Sequence, residues 1–137
     1  MTGGQREQAA AELEAASDAL QAASTLLDAG LVRDAVSRLY YAIFHAARAA
    51  LLARDRHAKT HSGQVTVFEA TFEREPLLGQ LLRLRIDADY GAAPLRKTGS
   101  ELRELLDEAA VFVERCRGLV DVEIAKGVKD PDPPPDL

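Results

Sequence analysis

Apolar side chains recur along the chain at intervals of three and four residues, the spacing that lines one face of an α-helix. A first helix is predicted over about 5–29, and Gly30 follows it as a residue suited to the left-handed conformation that ends helices. The second helix, about 31–54, has two apolar rows, so it is the central helix. The later predicted helices are a short one over about 62–75, one that begins at Pro76, and a last one over about 98–126.

The connections between these helices are short, and no segment shows the alternating pattern of a strand. We therefore predict an all-α protein, an antiparallel up-and-down four-helix bundle with one extra short helix. Thr98 and Glu101 have the spacing of a capping box at the start of the last helix. Residues 1–127 are predicted to form a single domain. The Pro- and Asp-rich segment 128–137 is predicted to be a disordered tail.

The composition agrees with one helical domain, since hydrophobic residues make up 47% of the chain and aromatic residues only 5%. Cys116 is the single cysteine and falls on an apolar helix face, so we expect a buried, inert thiol. The residues after Met1 lack the basic patch and apolar run of a signal peptide, and no apolar stretch approaches the ~20 residues of a membrane span. We expect a cytoplasmic protein with no membrane association.

Charge is distributed unevenly along the chain. The formal net charge of −5 argues by itself against a nucleic-acid-binding protein. Residues 31–62, however, contain six basic and two acidic side chains together with all three histidines, whereas 1–30 and 98–125 each carry a net charge of −4. Two interpretations stay open: the basic segment binds phosphate locally, or it pairs with acidic neighbours inside the bundle.

A polar row runs along the predicted second helix at spacings of four, three, four and three residues, from Asp34 to Arg48. Arginine, tyrosine and histidine side chains suit phosphate binding, base stacking and proton transfer. The alternative is a solvated face on which Asp34 and Arg38 form a helix pair worth ~0.2–0.5 kcal/mol. The candidate nucleotide- or RNA-binding residues of this row and the following loop are Arg38, Tyr41, His45, Arg48, Lys59 and His61.

A second candidate site lies at the end of the helix that begins at Pro76. Arg85 flanks the apolar row there, so its guanidinium is partly desolvated and needs a partner, and Asp89 follows one turn later. Tyr90 ends the helix, where its hydroxyl can point to a groove or to a second subunit. The alternative is an Arg–Asp pair that only ties the helix end to the bundle. The histidines lack metal-ligand spacing, so we expect neither a metal nor another cofactor.

Three blocks of sequence carry a family resemblance: 37–47 (SRLYYAIFHAA), 59–63 (KTHSG) and 85–90 (RIDADY). In their order and separation the chain resembles the bacterial and archaeal HEPN domains, over roughly 33–115. The resemblance implies a small up-and-down helical bundle that commonly forms homodimers. Many HEPN proteins are metal-independent ribonucleases, others form toxin–antitoxin pairs with a minimal nucleotidyltransferase, and others bind RNA or nucleotides without catalysis.

The ribonuclease signature of that family is an arginine, four to six residues, and then a histidine, with two copies facing each other across the dimer. Arg85 matches the arginine, but Tyr90 stands where the histidine is expected. A histidine with a pKa near 6.5 shuttles protons at neutral pH, whereas a tyrosine with a pKa near 10 is a poor base. The resemblance therefore favours a dimeric nucleotide- or RNA-binding module, the HEPN component of a pair with a nucleotidyltransferase. The alternative is an active metal-independent endoribonuclease that uses Arg85 with Asp89 and Tyr90.

Overall fold

The computed structural model describes residues 1–91 and 95–127 and contains five helices. They are α1 (Gly3–Asp28), α2 (Val32–Ala53), α3 (His61–Thr71), α4 (Pro76–Tyr90) and α5 (Gly99–Ala125). Every predicted helix is present and no strand occurs in the described ranges, which confirms the all-α helical bundle. The predicted tail, 128–137, lies outside the described residues.

The sequence signals at the helix ends act as expected. Thr98 accepts a hydrogen bond from the backbone N–H of Glu101, whose side chain accepts one from the backbone of Thr98 in return. Gly30 has φ of +76°, in the left-handed region, and turns the chain from α1 into α2. The side chain of Gln5 donates to Asp55, so the start of α1 lies beside the end of α2 and the two helices are antiparallel.

Helix α2 is the centre of the bundle, because it contacts all four other helices. Most of its side chains are buried, in agreement with its two apolar rows. The largest fully buried core side chains contributed by the other helices are Phe68 of α3, Leu78 and Leu81 of α4, and Leu102, Val113 and Cys116 of α5. Among the described helices none combines the length and apolar character needed to cross a bilayer.

Helix α3 is shorter than the sequence predicts. It ends at Thr71 rather than near Glu75, and Phe72 leaves the helical conformation with φ of −114° and ψ of −81°. The ring of Pro76 disfavours helical geometry in the preceding residue, and Glu75 is extended, with φ of −133° and ψ of 91°. A buried Gln64 side chain fixes α3 to α2 by donating to the carbonyl of Phe44 over 2.8 Å.

Candidate functional site

The guanidinium group of Arg85 lies against two aromatic rings of α2. Its Cζ is 4.9 Å from the ring centroid of Tyr40 and 5.9 Å from that of Tyr41. Its Nε is 2.9 Å from Oδ2 of Asp89, and the Arg85 side chain is 24% exposed. The structure thus brings Arg85 and Asp89 together, as their spacing on one helix predicts. Arg85 is also held next to the tyrosines, a contact between helices that the sequence does not specify.

Two polar atoms at this contact lack hydrogen-bond partners. They are the hydroxyl of Tyr40 and Nε of Arg85, the only such buried side-chain atoms in the described part of the chain. Nε is close enough to Asp89 for an ion pair, but the direction of the contact is poor for a hydrogen bond. A buried polar group without a partner costs roughly 1–3 kcal/mol. The site therefore has unused hydrogen-bonding capacity at its centre.

A second arginine extends the stack along α2. The Cζ of Arg38 is 4.8 Å from the ring centroid of Tyr41, so the Tyr41 ring has guanidinium contacts with both Arg38 and Arg85. Beside it is a groove of about 550 Å³ between α1 and α2, whose lining residues are Ala15, Asp18, Ala19, Ala22, Arg38, Tyr41 and His45. The α1 side of the groove is lined mainly by small alanine side chains, which leave space for a planar group beside the Tyr41 ring. No Asp34–Arg38 ion pair occurs among the described residues.

His45 and Arg48, further along the polar row, are paired with α1. Nδ1 of His45 is 2.6 Å from one carboxylate oxygen of Glu12, and the guanidinium of Arg48 is 3.4 Å from the other. Glu12 is only 13% exposed, so the pairing is partly shielded from water. Similarly, Arg54 pairs with Glu123 of α5 over 3.1 Å. For these three side chains of the basic segment, the interpretation of pairing within the bundle is therefore correct.

His61 enters the site from a third helix. It is the first residue of α3, and its ring is stacked on Tyr40 at 5.3 Å and on Phe44 at 5.4 Å between centroids. Burial of the ring and, secondarily, the positive charge of Arg85 lower the pKa of His61 below its ordinary value. His61 is thus mainly neutral at pH 7. The charge of Arg85 therefore acts on the His61 ring.

The remaining candidates, Lys59 and Tyr90, are exposed and make no ion pair or hydrogen bond within the described ranges. Tyr90 is 77% exposed and lies one turn after Ile86, which is 45% exposed. These two side chains form an apolar strip on α4 next to the Arg85–Asp89 pair. In the part of the chain described, no cluster of histidine, cysteine and acidic side chains could hold a metal ion.

Three contributors to the site could not be identified from the sequence pattern. Glu12 looked like one of several acids on α1, and Tyr40 belonged to an apolar row. Arg33 donates to the carbonyl of Ala88 over 2.7 Å and so anchors the end of α4 against the start of α2. The role of each of these residues depends on how the helices pack against one another. The only available signal was the tyrosine at position 40 in a row otherwise made of aliphatic residues and phenylalanine.

The described molecule is a helical bundle whose central helix carries a stack of arginine and aromatic side chains. The sequence profile of the HEPN domain matches residues 9–119. The chain belongs to the HEPN domain family, as the three sequence blocks indicated.

The following curated relatives match along most of their length. The protein named Putative toxin MJ0605, from Methanocaldococcus jannaschii, is 37% identical over 82% of this chain and 88% of its own. The UPF0332 protein glr0978 from Gloeobacter violaceus is 37% identical over 74% of this chain and 87% of its own. A further protein of Methanocaldococcus jannaschii, named Putative toxin MJ0142, is 28% identical over 86% of each chain.

Proposed function

We propose that this protein is the HEPN component of a toxin–antitoxin pair and that, as a homodimer, it binds RNA or a nucleotide at the surface around Arg85. The observation that carries the proposal is the position of Arg85, stacked on Tyr40 and Tyr41 next to Asp89. Two relatives bear the name putative toxin, which supports the toxin class. Within this proposal the protein acts in the cytoplasm.

Arg85 and Arg38 supply the electrostatic part of binding. A guanidinium group pairs with phosphate in a bidentate manner, and both groups are positioned by contact with the Tyr41 ring. The exposed Lys59 in the loop before α3 adds a further cation on the path of a nucleic-acid backbone. Arg48 and His45 contribute less to binding, because the Glu12 carboxylate already contacts both side chains.

The aromatic rings supply the stacking part. Base stacking on aromatic side chains is worth ~1–3 kcal/mol per base and tolerates any base. Tyr41 is partly exposed, lines the groove between α1 and α2, and is held in place by the two arginines. The groove therefore offers a base the Tyr41 ring and offers its phosphate the guanidinium group of Arg38, while Arg85 contacts the same ring.

The homodimer and the partner protein are further parts of this proposal. The strip of Ile86 and Tyr90 is an exposed apolar surface directly beside Arg85, and tyrosine is a common anchor of interfaces. A dimer formed there brings two Arg85 sites together, as the family resemblance implies. We expect the second partner to be a minimal nucleotidyltransferase encoded next to this gene. Co-expression of the two and purification through a tag on one would recover both in a stable complex.

RNA binding is tested by Arg85→Ala, measured as the fluorescence anisotropy of a labelled single-stranded RNA. The matched control is Arg115→Ala, because Arg115 also lies over a ring, Phe112 at 5.4 Å, and pairs with Glu75 over 3.0 Å. We expect the Kd to rise about tenfold or more for the first variant, since charge-assisted bonds are worth ~1.5–3 kcal/mol, and to stay unchanged for the control. Equal losses in both variants, or no binding by the wild type, would refute the proposal.

A metal-independent endoribonuclease is the second candidate function. The observation that favours it is the Arg85–Asp89 pair beside Tyr90, since Arg85 would hold the phosphate while Asp89 and Tyr90 assist attack by the 2′-hydroxyl. Incubation of the purified protein with tRNA and mRNA in excess EDTA tests it directly. Cleavage that Arg85→Ala abolishes supports catalysis. Intact RNA, in the presence and absence of the protein from the neighbouring gene, refutes it.

A further inference from the structure

We infer that His61 is the catalytic proton acceptor of this site: it takes the proton of the 2′-hydroxyl of an RNA whose phosphate is held by Arg85. The inference rests on the proposed binding of RNA at Arg85. It assigns to a residue of α3 the proton transfer that the family signature places on α4, where this chain has Tyr90. The carrying observation is geometric: His61 and Arg85, from different helices, both lie against the Tyr40 ring.

The position of His61 is fixed by the local sequence. Thr60 caps α3, and its side-chain oxygen accepts a hydrogen bond from the backbone N–H of Gly63 over 2.9 Å. A Cβ at position 63 would lie 2.7 Å from that oxygen, so the close cap requires glycine there. The Thr-His-Ser-Gly sequence thus fixes His61 at the first turn of α3. The rings of Tyr40 and Phe44 then hold its imidazole by stacking.

The environment keeps His61 in the form that accepts a proton. Burial and the positive charge of Arg85 lower the pKa of the imidazole, and the positive end of the α3 dipole acts in the same direction. The residue nevertheless remains exposed enough to meet a ligand. A neutral imidazole and a guanidinium that share one aromatic ring suit proton removal beside a bound phosphate.

The other side chains near the site are less suited to this role. Asp89 forms an ion pair with Arg85, and Nδ1 of His45 is occupied by Glu12. Tyr90 is a phenol, which is a weak proton acceptor at neutral pH. His57 is 70% exposed and its nearest charged contact is Asp55 at 3.9 Å, away from the aromatic stack. His61 shares the Tyr40 ring with Arg85 and, unlike His45 and His57, forms no ion pair within the described ranges.

The reaction balances without a metal or an oxidant. His61 accepts the proton of the 2′-hydroxyl, and the resulting oxygen nucleophile forms a bond to the adjacent phosphorus. The bond from phosphorus to the 5′-oxygen of the next nucleotide breaks, and that oxygen takes a proton from water. The products are a 2′,3′-cyclic phosphate and a 5′-hydroxyl, and the hydroxide left by the water molecule accepts the proton that His61 gained.

The decisive variant is His61→Phe, because phenylalanine preserves stacking on Tyr40 and Phe44 but removes both ring nitrogens. The control is His57→Phe. We expect the rate of RNA cleavage in EDTA to fall about 100-fold or more in the first variant, within the range of general acid–base catalysis, and to stay at the wild-type value in the control. Both variants should still bind RNA, and at neutral pH their melting temperatures should be unchanged. Cleaved ends should carry the 2′,3′-cyclic phosphate.

A rescue experiment separates chemistry from folding. In His61→Ala the space beside the aromatic rings is vacant, and we expect added imidazole to restore cleavage. A wild-type protein that binds RNA without cleaving it, or a His61→Phe variant that cleaves at the wild-type rate, would overturn this inference and leave the proposed binding function intact. A wild-type protein that binds no RNA would instead overturn the proposed function.

Discussion

Tyr40 is a single residue that belongs both to the core of the bundle and to the candidate site. Its ring is fully buried and packs against Phe44, while the same ring contacts Arg85 and His61. The apolar periodicity of α2 correctly predicts its burial. It could not predict the ring contacts, because these depend on side chains that arrive from α3 and α4.

Tyr40→Phe is expected to stabilise the protein. The hydroxyl is buried without a hydrogen-bond partner, so its removal relieves a desolvation cost and should raise the free energy of unfolding by about 1 kcal/mol. The measurement is urea denaturation followed by circular dichroism. Tyr41→Phe is the control, since Tyr41 is partly exposed and its change should be close to neutral. A loss of stability in Tyr40→Phe would show that the hydroxyl has a partner.

The titration of His61 gives a second prediction. NMR should place its pKa below that of an ordinary histidine, and Arg85→Gln should raise this pKa only part of the way, because burial is the larger cause. A lowered folded-state pKa means that His61 stabilises the fold above about pH 6.5, the unfolded value, and that this contribution is lost as the pH falls towards the folded value. His61→Phe should remove that part of the pH dependence. An unchanged His61 pKa in Arg85→Gln would contradict the proximity of the two groups.

The positions and ends of the helices were the features that the sequence predicted best. Pro76, Gly30 and the Thr98 capping box predicted helix ends that agree with the structure to within one or two residues. The predicted end of α3 was wrong: the hydrophobic periodicity continues to Phe72, but the backbone leaves the helical conformation at that residue. The pairing of Glu12 with His45 could not be predicted, since it depends on the relative register of α1 and α2.

Two glycine substitutions test the backbone conformation at the end of α1 and inside α5. Gly30→Ala places a side chain at φ of +76° and should cost about 1 kcal/mol of unfolding free energy, although the surrounding space is open. Gly118→Ala is the matched change inside α5, where no atom lies within 4 Å of the added Cβ, and should stabilise by about 0.5–1 kcal/mol. Thermal melts of both variants give the comparison. Changes of the same sign would contradict the left-handed turn at Gly30.

The charge of the whole molecule is organised around α2. Acidic side chains of α1 and α5 contact His45, Arg48 and Arg54 of the 31–62 segment, through Glu12 and Glu123. Arg38 of the same segment instead contacts the Tyr41 ring, which Arg85 of α4 also contacts, and Lys59 stays exposed. A net charge of −5 is thus compatible with a local cationic surface. The sequence located the basic segment, but only packing distinguishes its paired members from its accessible ones.

The proposed homodimer leads to a prediction for the molecule as a whole. If the strip of Ile86 and Tyr90 is the centre of the interface, light scattering should give twice the 14.8 kDa mass of the chain. Ile86→Lys places a charge in a desolvated contact and should halve that mass. Val111→Lys is the control, because Val111 is 70% exposed on α5 and should leave the dimer intact.

The same variants connect assembly with binding. Two facing copies of the Arg85 surface engage one RNA together, so the monomeric Ile86→Lys variant should bind RNA more weakly while Val111→Lys binds as the wild type. Urea denaturation at low protein concentration would confirm that the monomer remains folded. A monomeric variant with wild-type RNA affinity would mean that each chain carries a complete binding site. An unchanged mass for Ile86→Lys would place the interface on another face of the bundle.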